Sequence, residues 1–371
     1  MTHALVIGKF LPPHAGHHHL VRSALAAADR VSVVVMAAST ETIPLADRVA
    51  WLRAEHAGEP VRVLGVTDDL PVDYDDPDVW AGHVALMEAA LAADVAVRRR
   101  PAVEALVDVV ATSEAYGPEL ARRFGARHLA VDPPRLRHPV SGTAVRADVV
   151  GQWGHLAPAT RAGLALRVVV LGAESTGTTT LSKALAEALR ARGGVWAATA
   201  WVPEFGREHT VVKLEVARAL AVRAGRAQPT VADLVWTPED FLAVAAQQRD
   251  DEDTAAAGGS PVLVCDTDAF ATGVWFTRYV GGRNRQVEAV GDSRSHALYL
   301  LTDHEGVPFE QDGWRDGEHL RPWMTREFAD RLEASGRCWR WSRGPHEQRL
   351  AEALEAVDSL VRGGRHLAPV G

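Results

Sequence analysis

Residues 7–19 read Ile-Gly-Lys-Phe-Leu-Pro-Pro-His-Ala-Gly-His-His-His, after an apolar run and before a helix-like one. These residue types in this order make a phosphate site. Gly8 ends the apolar run, Pro12 and Pro13 fix a turn, and Gly16 lets backbone and ligand approach closely. The spacing has His17 open a helix, whose start offers unpaired N–H groups and the positive end of a dipole. His14 and His17 can donate hydrogen bonds to phosphate oxygens there, and Lys9 adds a fixed positive charge. Consecutive histidines on a helix point about 100° apart, so His17, His18 and His19 cannot form one metal face. Of the last two, one is expected packed and one exposed.

A second phosphate site is written at residues 172–180, Gly-Ala-Glu-Ser-Thr-Gly-Thr-Thr-Thr, between the strand-like Val168–Leu171 and a helix-like run from Leu181. The context and the glycines at 172 and 177 suit a P-loop, G-x-x-x-x-G-K-S/T, whose backbone N–H groups cradle phosphates. Thr179 stands where the Mg²⁺-binding hydroxyl belongs. Thr178 stands where the lysine belongs, so that charge is missing, and Lys183 further along the helix is no obvious substitute. Glu174, Ser175, Thr176 and Thr180 complete the candidate ATP-binding loop. Asp266 follows the apolar run Val262–Cys265, where a carboxylate beside a P-loop is the expected Mg²⁺ partner, and Glu204 could take a proton from a sugar hydroxyl. Arg207 and Asp268 are candidate substrate contacts. Residues 311–317 have two glycine hinges around an arginine, which suits a closing lid. Arg315 or Arg321 is the candidate replacement for the absent lysine charge.

The chain has 371 residues, which implies two domains, and 47% apolar residues, enough for real cores. A net charge of −8 argues against a general nucleic-acid binder but leaves room for a local anion pocket. Cys265 and Cys338 are the only cysteines; Cys265 reads as a buried free thiol, no disulfide framework is implied, and a cytoplasmic setting is expected. No basic leader precedes the first strand, and no apolar run is expected to reach the roughly 20 residues of a membrane span.

Strand and helix patterns alternate twice from fresh starts. The first series has strands at Ala4–Ile7, Val31–Met36, Val61–Val66 and Leu106–Ala111, a helix at Asp47–His56, and a long helix after Trp80. Val31–Met36 lacks alternation, as a strand covered on both faces does. Residues 151–165 read as a linker between domains at 1–150 and 166–371. The second series has strands at Leu166–Leu171, Ala197–Val202, Pro261–Cys265 and Ala297–Leu301, with helices at Leu214–Ala224 and Pro238–Arg249. Ala255–Ser260 reads as a small flexible bridge and Gly363–Gly371 as a frayed end. The fold class expected is α/β: a Rossmann-like domain followed by a P-loop kinase-like domain, each on a parallel sheet.

The stretch G-K-F-x-P-P-H-x-G-H at residues 8–17 resembles the nicotinamide-mononucleotide adenylyltransferase branch of the nucleotidyltransferase superfamily. Ser141-Gly142-Thr143-Ala144-Val145-Arg146 resembles the second element of that superfamily, S-G-T-x-I-R, with Val145 in the Ile place. The resemblance implies ATP contacts from Gly8, Phe10, Gly16, Ser141, Gly142 and Thr143. It makes Arg146 the charge partner of departing pyrophosphate, with His14, His17 and Lys9 stabilising the reacting phosphates. Ser113, in the segment after Leu106–Ala111, is expected to help hold the nucleotide, and Trp80 could stack on a cationic nicotinamide ring or anchor the helix in the core. Asp73, Asp75 and Asp76 read as a solvated loop.

Residues 172–180, 266–272 and 311–317 are similar to the kinase half of bifunctional NadR-type proteins, and the likeness spans nearly the whole chain in the same domain order. It implies NAD synthesis by two ATP-dependent transfers. One adenylylates nicotinamide mononucleotide, and the other phosphorylates ribosylnicotinamide, with Mg²⁺ as cofactor. The alternative is an adenylyltransferase with a degenerate, regulatory ATP-binding second domain. The implied partners are ATP, nicotinamide mononucleotide, ribosylnicotinamide and NAD, with no nucleic acid and no membrane; a homo-oligomer is left open. The first strand begins at His3 or Ala4, so the helix-turn-helix of some family members, and with it repressor activity, is not expected.

Overall fold

The computed structural model describes residues 1–294, 296–311, 315 and 317–367. Contacts gather the described chain into two units, dividing between Leu164 and Ala165.

The first unit contains β1 (His3–Gly8), α1 (Ala15–Ala27), β2 (Arg30–Ala37), α2 (Leu45–Glu55), β3 (Val61–Thr67), α3 (Pro77–Val97), β4 (Val109–Thr112), α4 (Gly117–Phe124), β5 (Arg127–Ala130), α5 (Gly142–Ala147) and α6 (Pro158–Leu164). Its strands form one parallel sheet in the order β3-β2-β1-β4-β5. Both faces are covered, which explains the unbroken apolar runs: Val31, Val33 and Val35 pack on one side, Val34 and Met36 on the other. The chain moves from β1 outward to β3, then returns to place β4 on β1's other flank. The carboxyl ends of β1 and β4 therefore flank a topological switch point, where such sheets bind ligands.

The second unit contains β6 (Leu166–Gly172), α7 (Thr178–Arg190), β7 (Trp201–Val202), α8 (Phe205–Arg223), α9 (Pro238–Gly258), β8 (Val262–Asp266), α10 (Ala269–Tyr279), α11 (Arg285–Asp292), β9 (Leu298–Thr302), α12 (Arg321–Ala334), β10 (Trp339–Ser342) and α13 (His346–Arg362). Its parallel sheet runs β10-β9-β6-β8-β7. Here β6 is central, between β8 and β9, so the loop after β6 stands at this sheet's switch point.

Several boundaries differ from the sequence reading. α1 begins at Ala15, with His14 as its N-cap, two residues before the expected start. β4 starts at Val109 because residues 102–105 coil into a 3₁₀ turn and the Leu106 carbonyl bonds His3 Nδ1 at 2.8 Å. β7 keeps only two residues, since Gly194–Ala198 forms another 3₁₀ turn. Ala255–Ser260 is no flexible bridge: alanine is the best helix former, the run continues α9, and Ser260 is buried against Thr199 at 2.9 Å. Residues 151–165 carry a 3₁₀ turn and α6, with Trp153, Leu156 and Leu164 buried. Arg365–Leu367 forms a last 3₁₀ turn, and residues 368–371 lie outside the described residues. Among the described residues one helix, α3, is long and apolar enough by composition to cross a membrane, contrary to the expectation of none. Its Trp80, Met87, Leu91 and Val95 pack into the core under the sheet.

Candidate active sites

At the carboxyl end of β1 the chain turns through residues 9–13 into α1. Phe10 takes a left-handed conformation (φ 47°) that tucks its ring under Gly8, where a Cβ would lie 3.3 Å from the ring. The His14 backbone N–H donates to His17 Nδ1 at 3.3 Å, and the two imidazoles stack with centroids 3.7 Å apart. With Nδ1 accepting, a neutral His17 carries its proton on Nε2. Burial, reinforced by the neighbouring histidines, holds both rings neutral: His14 is depressed to about 3 and His17 well below the usual range. His14 Nδ1 is buried without a partner. These are hydrogen-bonding groups rather than cations in the ligand-free protein.

The Ser141 segment is fastened to this turn. Ser141 caps α5 by accepting from the Ala144 N–H at 3.1 Å. Arg146 donates to the Leu11 carbonyl at 2.7 Å and to the Thr143 hydroxyl at 3.2 Å. A Cβ at Gly142 would sit 2.8 Å from the same Leu11 carbonyl, so only glycine fits. Lys9 pairs with Glu41 at 2.9 Å; Glu41 also takes Arg48 at 2.6 Å, and the fully buried Arg48 donates to the Lys9 carbonyl at 3.0 Å. Lys9, Phe10, His14, Gly16, His17, Ser113, Ser141, Gly142, Thr143 and Arg146 line one cavity, together with Arg135 and His138. Gly8 lies outside this lining, against the Phe10 ring. His18 is buried against His56 at 3.1 Å and His19 is half-exposed.

Trp80 is a core anchor, correcting its reading as a substrate contact. It is 7% exposed, its indole N–H donates to the Tyr74 carbonyl at 3.0 Å, and Arg123 lies over its ring. Asp76, in the acidic loop, caps α3 by accepting from the Asp78 N–H at 2.8 Å.

In the second unit, the loop after β6 takes left-handed turns at Ser175 (φ 55°) and Gly177 (φ 87°) before α7. Its carbonyls are held from behind by arginines. Buried Arg349 donates to the Thr176 carbonyl at 2.9 Å, and Arg321 to the carbonyls of Ser175, His304 and Val307. Arg321 is therefore committed to the backbone and is no substitute for the missing lysine. Thr176 is buried, its hydroxyl donating to the Ala173 carbonyl at 2.7 Å, and Thr180 faces solvent. Glu174 pairs with Arg278 at 3.2 Å and accepts from the Gly317 N–H at 2.9 Å.

Gly172, Glu174, Ser175, Thr178, Thr179, Glu204, Arg207, Asp266 and Arg315 share one cavity; Thr176, Gly177 and Thr180 do not line it. Burial raises the Asp266 carboxyl, against hydrogen bonds from the Thr179 and Thr178 side chains. Thr178 thus faces the carboxylate. Burial, and then the nearby Asp266, lifts Glu204 to about 7. The cavity continues into an aromatic end made by Trp236, Phe241, Trp275 and Tyr279. Asp268 is a correction: fully buried, it caps α10 through the Ala271 N–H at 2.9 Å and accepts from the Tyr299 hydroxyl at 2.8 Å, outside the cavity. Arg315 pairs with Glu310 at 2.8 Å, while Asp312, Gly313, Trp314 and Asp316 of the expected lid lie outside the described residues.

Sequence reading missed the aromatic end, Gln248 in the cavity wall, and Arg349 behind the loop. Their only signals were isolated aromatic and polar residues on helix patterns, which most often mean core or surface.

Residues 167–349 match the family described as AAA domain. The chain is 23% identical over 335 residues to the trifunctional NAD biosynthesis/regulator protein NadR of Escherichia coli K12, covering 85% of this chain and 72% of that one. It is 28% identical over 167 residues to a nicotinamide-nucleotide adenylyltransferase of Methanosarcina barkeri, covering 43% of this chain and 84% of the relative. Two NadR crystal structures have the same fold: one in complex with NR (TM-score 0.65, 20% identity, 97% of this chain and 96% of that one) and one with NAD and AMP-PNP (TM-score 0.64, 19% identity, the same coverage). Both units are α/β folds on parallel sheets, and they share that fold with the two solved structures.

Proposed function

We propose that this chain is a bifunctional enzyme of NAD salvage, of the NadR type. Its second unit phosphorylates ribosylnicotinamide with ATP, and its first adenylylates the resulting mononucleotide to NAD, releasing pyrophosphate. One observation carries the reading: likeness to NadR runs through both units in the same order, and each unit has a motif-lined cavity at its sheet's switch point.

In the first unit the mononucleotide phosphate attacks the α-phosphorus of ATP, so catalysis is positioning and charge stabilisation. His17 Nε2 and His14 donate to phosphate oxygens, Lys9 adds charge, and Arg146, once it leaves the Leu11 carbonyl, holds departing pyrophosphate. Ser113, Ser141 and Thr143 supply further hydrogen bonds to ATP.

In the second unit the β6–α7 loop cradles the ATP phosphates with backbone N–H groups. Glu204 receives the proton of the 5′-hydroxyl; a pKa of about 7 suits that task. The aromatic end takes the cationic pyridine ring. Arg207 and Arg315 supply positive charge beside the phosphates. The Thr179 hydroxyl and the buried Asp266 carboxylate, which lie together in the cavity, fit Mg²⁺, which when bound neutralises phosphate charge. These substrates and the unpaired cysteines accord with a cytoplasmic enzyme.

Incubation with ATP and either ribosylnicotinamide or its mononucleotide, products resolved by mass, tests both halves. Phosphate transfer and NAD formation are expected, the latter falling about 10²–10³-fold in His17→Ala. Thr178 in the lysine position favours a second reading, in which the second unit only senses ATP. A wild type without phosphate transfer that gains it in Thr178→Lys would establish that reading instead.

A further inference from the structure

Gln248 is the one side chain of the second cavity, among the described residues, that is almost wholly buried and still has an unused donor. It sits on α9, is 1% exposed, and lines the cavity. Its Oε1 accepts from the Phe205 backbone N–H at 2.9 Å. A backbone N–H can only donate, so this contact fixes the amide: the oxygen faces α8 and the NH₂ faces the other way. That Nε2 is buried with no partner. A buried, unsatisfied donor is costly, and a site that keeps one is built to receive an acceptor.

Its position narrows what that acceptor is. Gln248 follows Phe241, at the aromatic end, by seven residues on one helix, about 10 Å along the axis. It is anchored to Phe205, the residue after Glu204. The donor therefore lies toward the proton-accepting end of the cavity and away from the aromatic rings. A nucleoside with its ring among the aromatics and its 5′-hydroxyl at Glu204 spans about that length and brings its sugar to Gln248.

We propose that Gln248 is a specificity-determining residue that donates a hydrogen bond to a ribose hydroxyl of the acceptor nucleoside. The inference rests on the kinase reading of this unit and adds a selection: the site requires a ribonucleoside and rejects one lacking that hydroxyl.

Two variants of the full chain test it. Gln248→Glu keeps an oxygen for Phe205 and removes the donor; Gln248→Leu removes the donor without adding charge. Steady-state kinetics are measured with ribosylnicotinamide and its 2′-deoxy and 3′-deoxy analogues, with thermal melts confirming folding. KM for ribosylnicotinamide is expected to rise tenfold or more in both variants, with KM for ATP within twofold of wild type. The wild type should disfavour one deoxy analogue at least tenfold, and both variants should treat it within threefold of ribosylnicotinamide. A merely structural Gln248 would not move that discrimination. Variants that keep the wild-type KM and discrimination overturn the proposal. Calorimetric binding of the nucleosides separates it from the kinase reading. A wild type that binds ribosylnicotinamide without phosphorylating it refutes the kinase while binding selectivity still decides Gln248; a wild type that does not bind it overturns the proposal.

Discussion

Replacing Glu204 by Gln should stabilise the second unit in alkaline buffer while stopping its chemistry. Burial and Asp266 raise the Glu204 carboxyl from 4.5 to about 7. Below pH 4.5 both folded and unfolded forms hold the proton and the residue is neutral in its effect. Between 4.5 and 7 the unfolded chain ionises Glu204 while the folded one keeps the proton, so stability falls as pH rises; above 7 the loss is complete. At ~1.4 kcal/mol per pH unit that loss is about 3 kcal/mol. It is an upper figure, because the residue is only half-buried and solvent screens it. At ~2–4 °C per kcal/mol, the Glu204→Gln unit should melt up to ~6–12 °C above wild type at pH 8.5. At pH 4.5 the two melts should nearly coincide. Phosphate transfer by the same variant should drop about 10²–10⁴-fold, the usual worth of a general base. Wild-type kcat/KM should fall as pH drops through about 7. A difference in melting temperature that does not change with pH would mean Glu204 titrates as an ordinary surface carboxyl, and the argument would fail.

Two further outcomes concern the first unit. In the ligand-free protein the imidazole NMR signals of His14 and His17 should keep the neutral form from pH 5 to 8, because burial depresses both; a midpoint near 6.5 in either would refute that. Gly142→Ala must push the Leu11 carbonyl from the 2.8 Å position its Cβ would reach. It should cost about 1–3 kcal/mol of first-unit stability and weaken ATP binding. An unchanged melt would mean the Ser141 segment is not fastened to the His14 turn as described.

Motifs were legible where a residue type has few uses. Gly-Lys-Phe and His-x-Gly-His, or a glycine-spaced loop after an apolar run, pin both backbone and chemistry, and the structure brings each to a switch point. Single residues of many uses were not legible. Trp80 and Asp268 look like ligand contacts in sequence, but an indole at a helix start and an aspartate before a helix also anchor and cap, and here they do. Gln248 and Arg349 gave no signal, since their roles depend on Phe205 and Thr176, 43 and 173 residues away. Ala255–Ser260 was misread because small residues suggest flexibility, whereas alanine prefers helix and tertiary burial completed it.

The two cavities solve the same electrostatic problem with opposite means. The first is lined by neutral imidazoles and by three cations already engaged, Lys9 with Glu41, Arg135 with Glu114 and Arg146 with the Leu11 carbonyl. The carboxylates of Glu41 and Glu114 offset Lys9 and Arg135, whereas Arg146 bonds only a neutral carbonyl and keeps its full charge for an arriving phosphate. The second holds two carboxyls, Glu204 and Asp266, each raised by burial, and lacks the loop lysine that would offset them. Two buried carboxyls this close resist joint ionisation. Burial and the neighbouring Asp266 therefore keep Glu204 protonated up to about neutral pH. An added positive charge beside Asp266 should lower Glu204 further from 7 and ready it to accept a proton. That coupling would tie proton acceptance to loading of the phosphate site.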